Sequence, residues 1–156
     1  MNIKKKPLII SVLIPLLVGG LSAFITRKSM DIFEVLEKPP LSPPGWLFPV
    51  VWTVLYILMG ISSYLIYTAD TSRENKTVAL SVYALQLVFN FIWPILFFNM
   101  QNFLGALVCL IILWILILTM IIVFSRISKP AAFLNIPYLL WVTFAGYLNY
   151  FIYLLN

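Results

Sequence analysis

Residues 38–60 read KPPLSPPGWLFPVVWTVLYILMG. Two proline pairs, Pro39-Pro40 and Pro43-Pro44, stand directly before an apolar run that opens with Trp46, Pro49 and Trp52. Proline fixes φ and has no backbone N–H, so the pairs predict a stiff, non-helical approach to the start of a helix. That helix carries tryptophan where a plain membrane span needs only leucine. A rigid approach beside an aromatic wall points to a ligand pocket with a lid. The same residues also suit a helix start with an interfacial tryptophan anchor.

Outward from this stretch, the chain stays apolar. Of its 156 residues 63% are hydrophobic and 10% charged, and the mean hydropathy is +1.05. Soluble domains carry about 25% charged residues, so this is an all-α integral membrane protein with room for one compact bundle. A span needs about 20 apolar residues. Five are expected over residues 7–26, 47–68, 77–98, 103–124 and 131–154, forming a single domain over 1–156. The apolar runs are continuous, which excludes the alternation of a membrane β-barrel. The first run follows Lys4, Lys5 and Lys6 as a signal peptide would. It is too long for one, contains Pro15 and lacks a small-residue cleavage site, so it is read as a retained helix.

Charge predicts orientation. Lys4, Lys5, Lys6, Arg73, Lys76, Arg126 and Lys129 fall on one side of such a bundle, and Arg27, Lys28 and Lys38 on the other. The positive-inside rule puts the N-terminus in the cytoplasm and the C-terminus outside. The net charge of +5 is thus a topology signal, and without a basic stripe it does not point to nucleic acid. Residues 27–46 make an unusually long connection. It holds Asp31, Glu34 and Glu37, spaced by three with apolar residues between. This predicts a short amphipathic helix over the bundle mouth, either a lid or a solvated tether.

The expected spans hold no Asp, Glu, Lys or Arg, and the chain has no histidine. Proton relays and ion-coupled carriers normally need an intramembrane ionisable group. Metal sites need clusters of His, Cys or carboxylate; none is expected. Cys109 stands alone with no base beside it and reads as a packing residue.

What remains is a pattern of aromatic and amide residues. Trp52, Tyr56 and Ser63 share a face of the second span, Gln86, Asn90, Trp93 and Phe97 of the third, and Tyr138, Trp141, Ala145 and Asn149 of the fifth. Lipid offers amides no partner, so they face a cavity or other helices. Lining a cavity, they suit a flat, apolar ligand with a few polar edges; alternatively they only join helices. Pro15, Pro94 and Pro137 each free a carbonyl four residues earlier, and such kinks open space between helices.

These motifs occur in order along nearly the whole chain: KPP-x-x-PPGW, PVVWTVLYILMGISSYL, QLVFNFIWPILFF, GALV and PYLLWVTFAGYLNY. Together they resemble the TspO/translocator protein family, the tryptophan-rich sensory or peripheral benzodiazepine receptor proteins. The resemblance implies five helices around a cavity closed by the first long loop, and a homodimer. It implies binding of porphyrins such as protoporphyrin IX, with no other cofactor, and of isoquinoline carboxamide and benzodiazepine-type drugs. A light-dependent breakdown of bound porphyrin is attributed to the family. Carried over position by position, Trp52, Asn90, Trp93, Trp141, Ala145 and Ala23 match family ligand-site residues, and Leu47 and Phe48 fall at the turn after the proline loop. With Tyr56, Gln86 and Tyr138 from the helix faces, these are the expected ligand-binding residues. Trp52 and Trp141 are the expected photochemical pair. Leu41 and Phe91 stand where many relatives have tryptophan, and Gly105 and Cys109 where the mitochondrial form has tryptophan and aspartate. No basic residue follows Tyr147, Tyr150 or Tyr153, so the C-terminal cholesterol motif is incomplete. These departures point to a bacterial-type porphyrin binder in a cytoplasmic membrane. Other classes it competes with are a small transporter and an adaptor without a saturable ligand.

Overall fold

The computed structural model describes residues 2–156. Five of its helical segments are long and apolar enough to cross a membrane. In chain order the helices are α1 (Lys5–Thr26), α2 (Ile32–Val35), α3 (Leu47–Tyr67), α4 (Arg73–Pro94), α5 (Phe103–Ser125), α6 (Lys129–Phe133) and α7 (Ile136–Leu155). A π-helical turn, Ile95–Asn99, continues α4.

The boundaries differ from expectation where polar caps or prolines decide them. α4 starts four residues before the apolar run because the Ser72 hydroxyl accepts from the Asn75 N–H at 3.1 Å, satisfying one of the orphan donors of a helix start. The fifth span divides into α6 and α7. Pro137 therefore sits in the first turn of α7 and kinks nothing, since a first-turn proline lacks only an N–H that has no helical partner there. Pro94 closes the regular part of α4, and the π turn follows.

Neighbouring spans run antiparallel. The Lys4 backbone N–H at the start of α1 donates to the Tyr64 hydroxyl near the end of α3 at 2.8 Å. At the other end, Asn149 of α7 donates to the Phe103 carbonyl at the start of α5 at 2.9 Å. α1 packs on α3 and α4, α4 on α5, and α5 on α6 and α7, whereas α3 and α7 make no comparable close approach. α1 and α3 meet backbone to backbone. A methyl on Gly60 would come within 2.5 Å of Val12 Cα and 2.8 Å of the Ser11 carbonyl oxygen. That carbonyl is the one whose helical partner Pro15 removes. Gly19 lies against the Tyr56 ring and so packs inside the bundle.

Buried polar groups tie the helices together. Tyr56 donates to Asn90 Oδ1, Asn90 Nδ2 donates to the Tyr138 hydroxyl, and Tyr138 donates to Gln86 Oε1, each at 2.7 Å. This chain joins α3, α4 and α7 across the interior. Nearer the N-terminal end, Asn135 Nδ2 donates to Ser62 Oγ, which itself donates to the Ala131 carbonyl, both at 2.7 Å. Where solvent and lipid supply no partner, such groups must find one another.

Candidate functional site

The gap between α3 and α7 is a cavity of about 270 Å³, near the lower end of drug-sized pockets. Its walls come from α1, α3, α4, the π turn and α7, and residues 27–46 cover one end. The covering loop is anchored. Phe33 is buried and meets Phe48 edge-on at 5.0 Å. The Asn156 side chain accepts from the Glu37 N–H at 3.2 Å and donates to its carbonyl at 2.9 Å, and the Tyr147 hydroxyl donates to the Pro40 carbonyl at 2.7 Å.

The loop does not form the amphipathic helix expected of it. Only Ile32–Val35 is helical, and the chain turns extended at Leu36, with ψ 145°. Asp31, Glu34 and Glu37 consequently do not share a face. Glu34 is at the cavity wall, while Glu37 is held through its backbone by Asn156.

Seven of the expected ligand residues line the cavity. They are Ala23 of α1, Phe48, Trp52 and Tyr56 of α3, Asn90 and Trp93 of α4, and Ala145 of α7. Four do not line it: Leu47, Gln86, Tyr138 and Trp141. Leu47 precedes Phe48 by one residue, about 100° around the helix, so Phe48 takes the cavity-facing place. Gln86 and Tyr138 are buried in the hydrogen-bonded chain beneath the cavity, and Trp52 stands between, its ring edge-on to Tyr138 at 6.1 Å. Trp141 lies behind Phe48, ring centroids 5.8 Å apart, and its indole N–H is buried without a partner among the described residues.

The remaining lining includes Phe97 and Asn149, which the face pattern groups with Trp93 and Ala145, and residues with weaker signals in the sequence. Phe97 and Phe98 reach the wall from the π turn, a conformation no residue pattern announced. Leu148 and Ile152 extend the α7 wall at helical spacing from Ala145, and apolar residues at such spacing are equally common on lipid-facing stripes.

Most polar side chains in the wall are already committed. Asn90 bridges Tyr56 and Tyr138. Asn149 accepts from the Trp93 indole at 3.0 Å and donates to the Phe103 carbonyl at 2.9 Å. Ser22 donates to the Phe91 carbonyl at 3.1 Å. The amides thus join helices and line the cavity at once. Of the wall tryptophans, Trp93 has spent its N–H on Asn149, whereas that of Trp52 is neither bonded nor sealed among the described residues.

The profile of the TspO/MBR family matches residues 11–155. The chain belongs to the TspO/MBR family. It is similar to the tryptophan-rich protein TspO of Chlorobaculum tepidum, 41% identical over 86% of this chain and 85% of that one. It is likewise similar to the tryptophan-rich protein TspO of Archaeoglobus fulgidus, at 41% over 100% and 99%, and to the translocator protein of Bos taurus, at 40% over 88% and 83%. As a TspO/MBR protein with five apolar helices it is an integral membrane protein, and the family match covers α1 from residue 11, the other four spans and the loop over the cavity.

Proposed function

We propose that this TspO/MBR protein is a membrane receptor that binds porphyrins, protoporphyrin IX among them, and flat drug-like ligands of the isoquinoline carboxamide and benzodiazepine type. The observation that carries the reading is Trp52. Its ring lines the apolar cavity, and its N–H remains free for a polar ligand edge. Trp and Tyr supply large apolar faces with one donor each, the combination that suits such ligands. Tyr56 stacks beside Trp52 at 5.7 Å, which extends the flat wall.

Bound porphyrin is broken down in light as a consequence of its place beside oxidisable indoles. Excited porphyrin converts dissolved dioxygen to reactive oxygen species that oxidise the macrocycle, so the breakdown needs light and oxygen and no acid–base pair. The membrane we infer is a bacterial cytoplasmic one, with the N-terminus inside; the seven-to-three distribution of basic residues supports that orientation. A relative bears the name translocator protein, but the spans here lack the ionisable groups on which coupled transport normally depends.

The test is quenching of tryptophan fluorescence by protoporphyrin IX in the dark, followed by an absorbance time course under illumination. Wild type, Trp52→Phe and Trp141→Phe are compared. The expected result is saturable quenching in wild type and a light-dependent loss of the porphyrin band that Trp52→Phe reduces more than it reduces binding, with a smaller effect of Trp141→Phe, whose ring is screened by Phe48. Equal losses of binding and breakdown would sink the photochemical part. Absence of saturable quenching would overturn the binding reading.

A further inference from the structure

The cavity's charge is lopsided. Among the described residues no lysine or arginine lines it, and the one ionisable carboxylate in its wall is Glu34. A methyl on Gly45 would come 2.8 Å from Glu34 Oε1, so the carboxylate lies against the loop's last turn before α3. That oxygen has no ion pair or hydrogen bond among the described residues. The bases nearest along the chain bond backbone carbonyls, that of Glu34 among them, and not this carboxylate oxygen. Lys38 Nζ donates to the carbonyls of Phe33, Leu36 and Glu34 at 2.6, 3.3 and 3.4 Å and sits 4.9 Å from the Phe33 ring centre. Arg27 donates to the Phe24 carbonyl at 2.6 Å and lies over the Phe24 ring.

Around this carboxylate the wall is aromatic: Phe33, Phe48, Trp52, Trp93, Phe97 and Phe98. Aromatic faces are negative, and a cation over them is attracted, most strongly by tryptophan and most of all away from water. The amides that might otherwise serve an anion as donors are bonded to other helices. Acid, ring faces and the absence of any base in the wall therefore act in one direction. An anionic group has to keep its charge at the mouth, whereas a positive one gains on entering.

We propose that the cavity is selective for lipophilic organic cations, amphiphiles whose ammonium group sits at Glu34 and whose apolar body lies in the gap between α3 and α7. The proposal rests on the reading that this cavity is the ligand site, and names a ligand class for it. Glu34 is its specificity-determining residue. Porphyrins then bind with their carboxylates turned away from Glu34.

The experiment uses the full chain in nanodiscs of neutral phosphatidylcholine, with empty discs subtracted. Two probes of the same shape are titrated by calorimetry: (2-naphthylmethyl)trimethylammonium and its neutral carbon isostere, 2-neopentylnaphthalene. Protoporphyrin IX is titrated separately in the same discs. The cation is expected to bind about fivefold or more tightly than the isostere, an advantage that 0.5 M salt reduces. Glu34→Gln is expected to cut that ratio at least about threefold and Glu34→Asp to retain most of it, with protoporphyrin binding unchanged or tighter in Glu34→Gln. The Glu34 side chain is exposed, so neither variant disturbs the core. Equal affinity for the two probes, or a ratio that Glu34→Gln leaves unchanged, would overturn the proposal. If protoporphyrin binds saturably in that case, the cation inference alone has failed. If no probe binds, the reading of the cavity as a ligand site has failed with it.

Discussion

Tyr138→Phe tests whether the aromatic and amide residues of the fifth span belong to the ligand wall or to the framework beneath it. The hydroxyl donates to Gln86 Oε1 and accepts from Asn90 Nδ2, both at 2.7 Å, and Tyr138 is 1% exposed. Its removal strands one acceptor and one donor. The other Gln86 contact, from Nε2 to the Met59 sulfur at 4.0 Å, does not serve the stranded Oε1. Side-chain hydrogen bonds inside membranes average about 0.6 kcal/mol, and an unsatisfied buried group costs about 1–3 kcal/mol. Partial relaxation places the loss at about 1–3 kcal/mol for the pair. For a chain of this length that lowers the melting temperature by about 2–12 °C. The assay is thermal unfolding in detergent, with Thr53→Val as control. Thr53 is exposed and its hydroxyl only returns to the Pro49 carbonyl one turn back, so the control stays within about 0.5 kcal/mol. Tyr138 does not line the cavity, so protoporphyrin affinity in Tyr138→Phe changes by less than about threefold, under 1 kcal/mol. A stability equal to that of the control would refute the hydrogen-bonded framework. A loss of binding as large as that of Trp52→Phe would refute the placement of Tyr138 behind the wall.

Gly60→Ala drives a methyl into the α1 backbone; overpacking of this kind costs about 1–3 kcal/mol, read as a lower melting temperature, whereas Gly20→Ala, with nothing within 4 Å, leaves stability unchanged or raised. Equal effects at the two glycines would contradict the close crossing of α1 and α3. The pair Asn156→Ala and Tyr147→Phe releases the loop from the end of α7. At about 0.5–1.5 kcal/mol per bond, the double variant should release protoporphyrin several-fold faster in stopped flow, and an unchanged off-rate would show that the loop does not gate the cavity. Phe48→Ala uncovers Trp141, whose ring lies 5.8 Å behind it; quenching by protoporphyrin in a Trp52→Phe background should then increase, since Trp141 becomes reachable, and no increase would argue against Phe48 as the screen.

The five spans, their antiparallel order and the family were all legible in the chain, because continuous apolar runs, basic flanks and the KPP, PVVW and FIWP motifs are local properties of the residues. The wall of the cavity was legible only in part. Helical spacing places Trp52, Tyr56, Asn90 and Ala145 on inward faces, but an inward face meets either a cavity or another helix. Tyr138 and Gln86 carry the same residue types as Tyr56 and Asn90, and one hydrogen-bonded chain holds all four, but only Tyr56 and Asn90 also reach the cavity. Trp141 is set apart from Trp52 by Phe48 in front of it and by a sealed indole N–H. The π turn after Pro94 and the break before α7 depend on which backbone groups find partners across the bundle, and no periodicity encodes that. The loop shows the same division. Its prolines guaranteed a stiff approach to α3, whereas the turn of Glu34 toward the aromatic wall came from the anchoring of Phe33, Glu37 and Pro40 by residues distant in the chain. Local composition determined that this protein crosses the membrane five times; which side chains face the cavity, and with what charge, was decided where the helices meet.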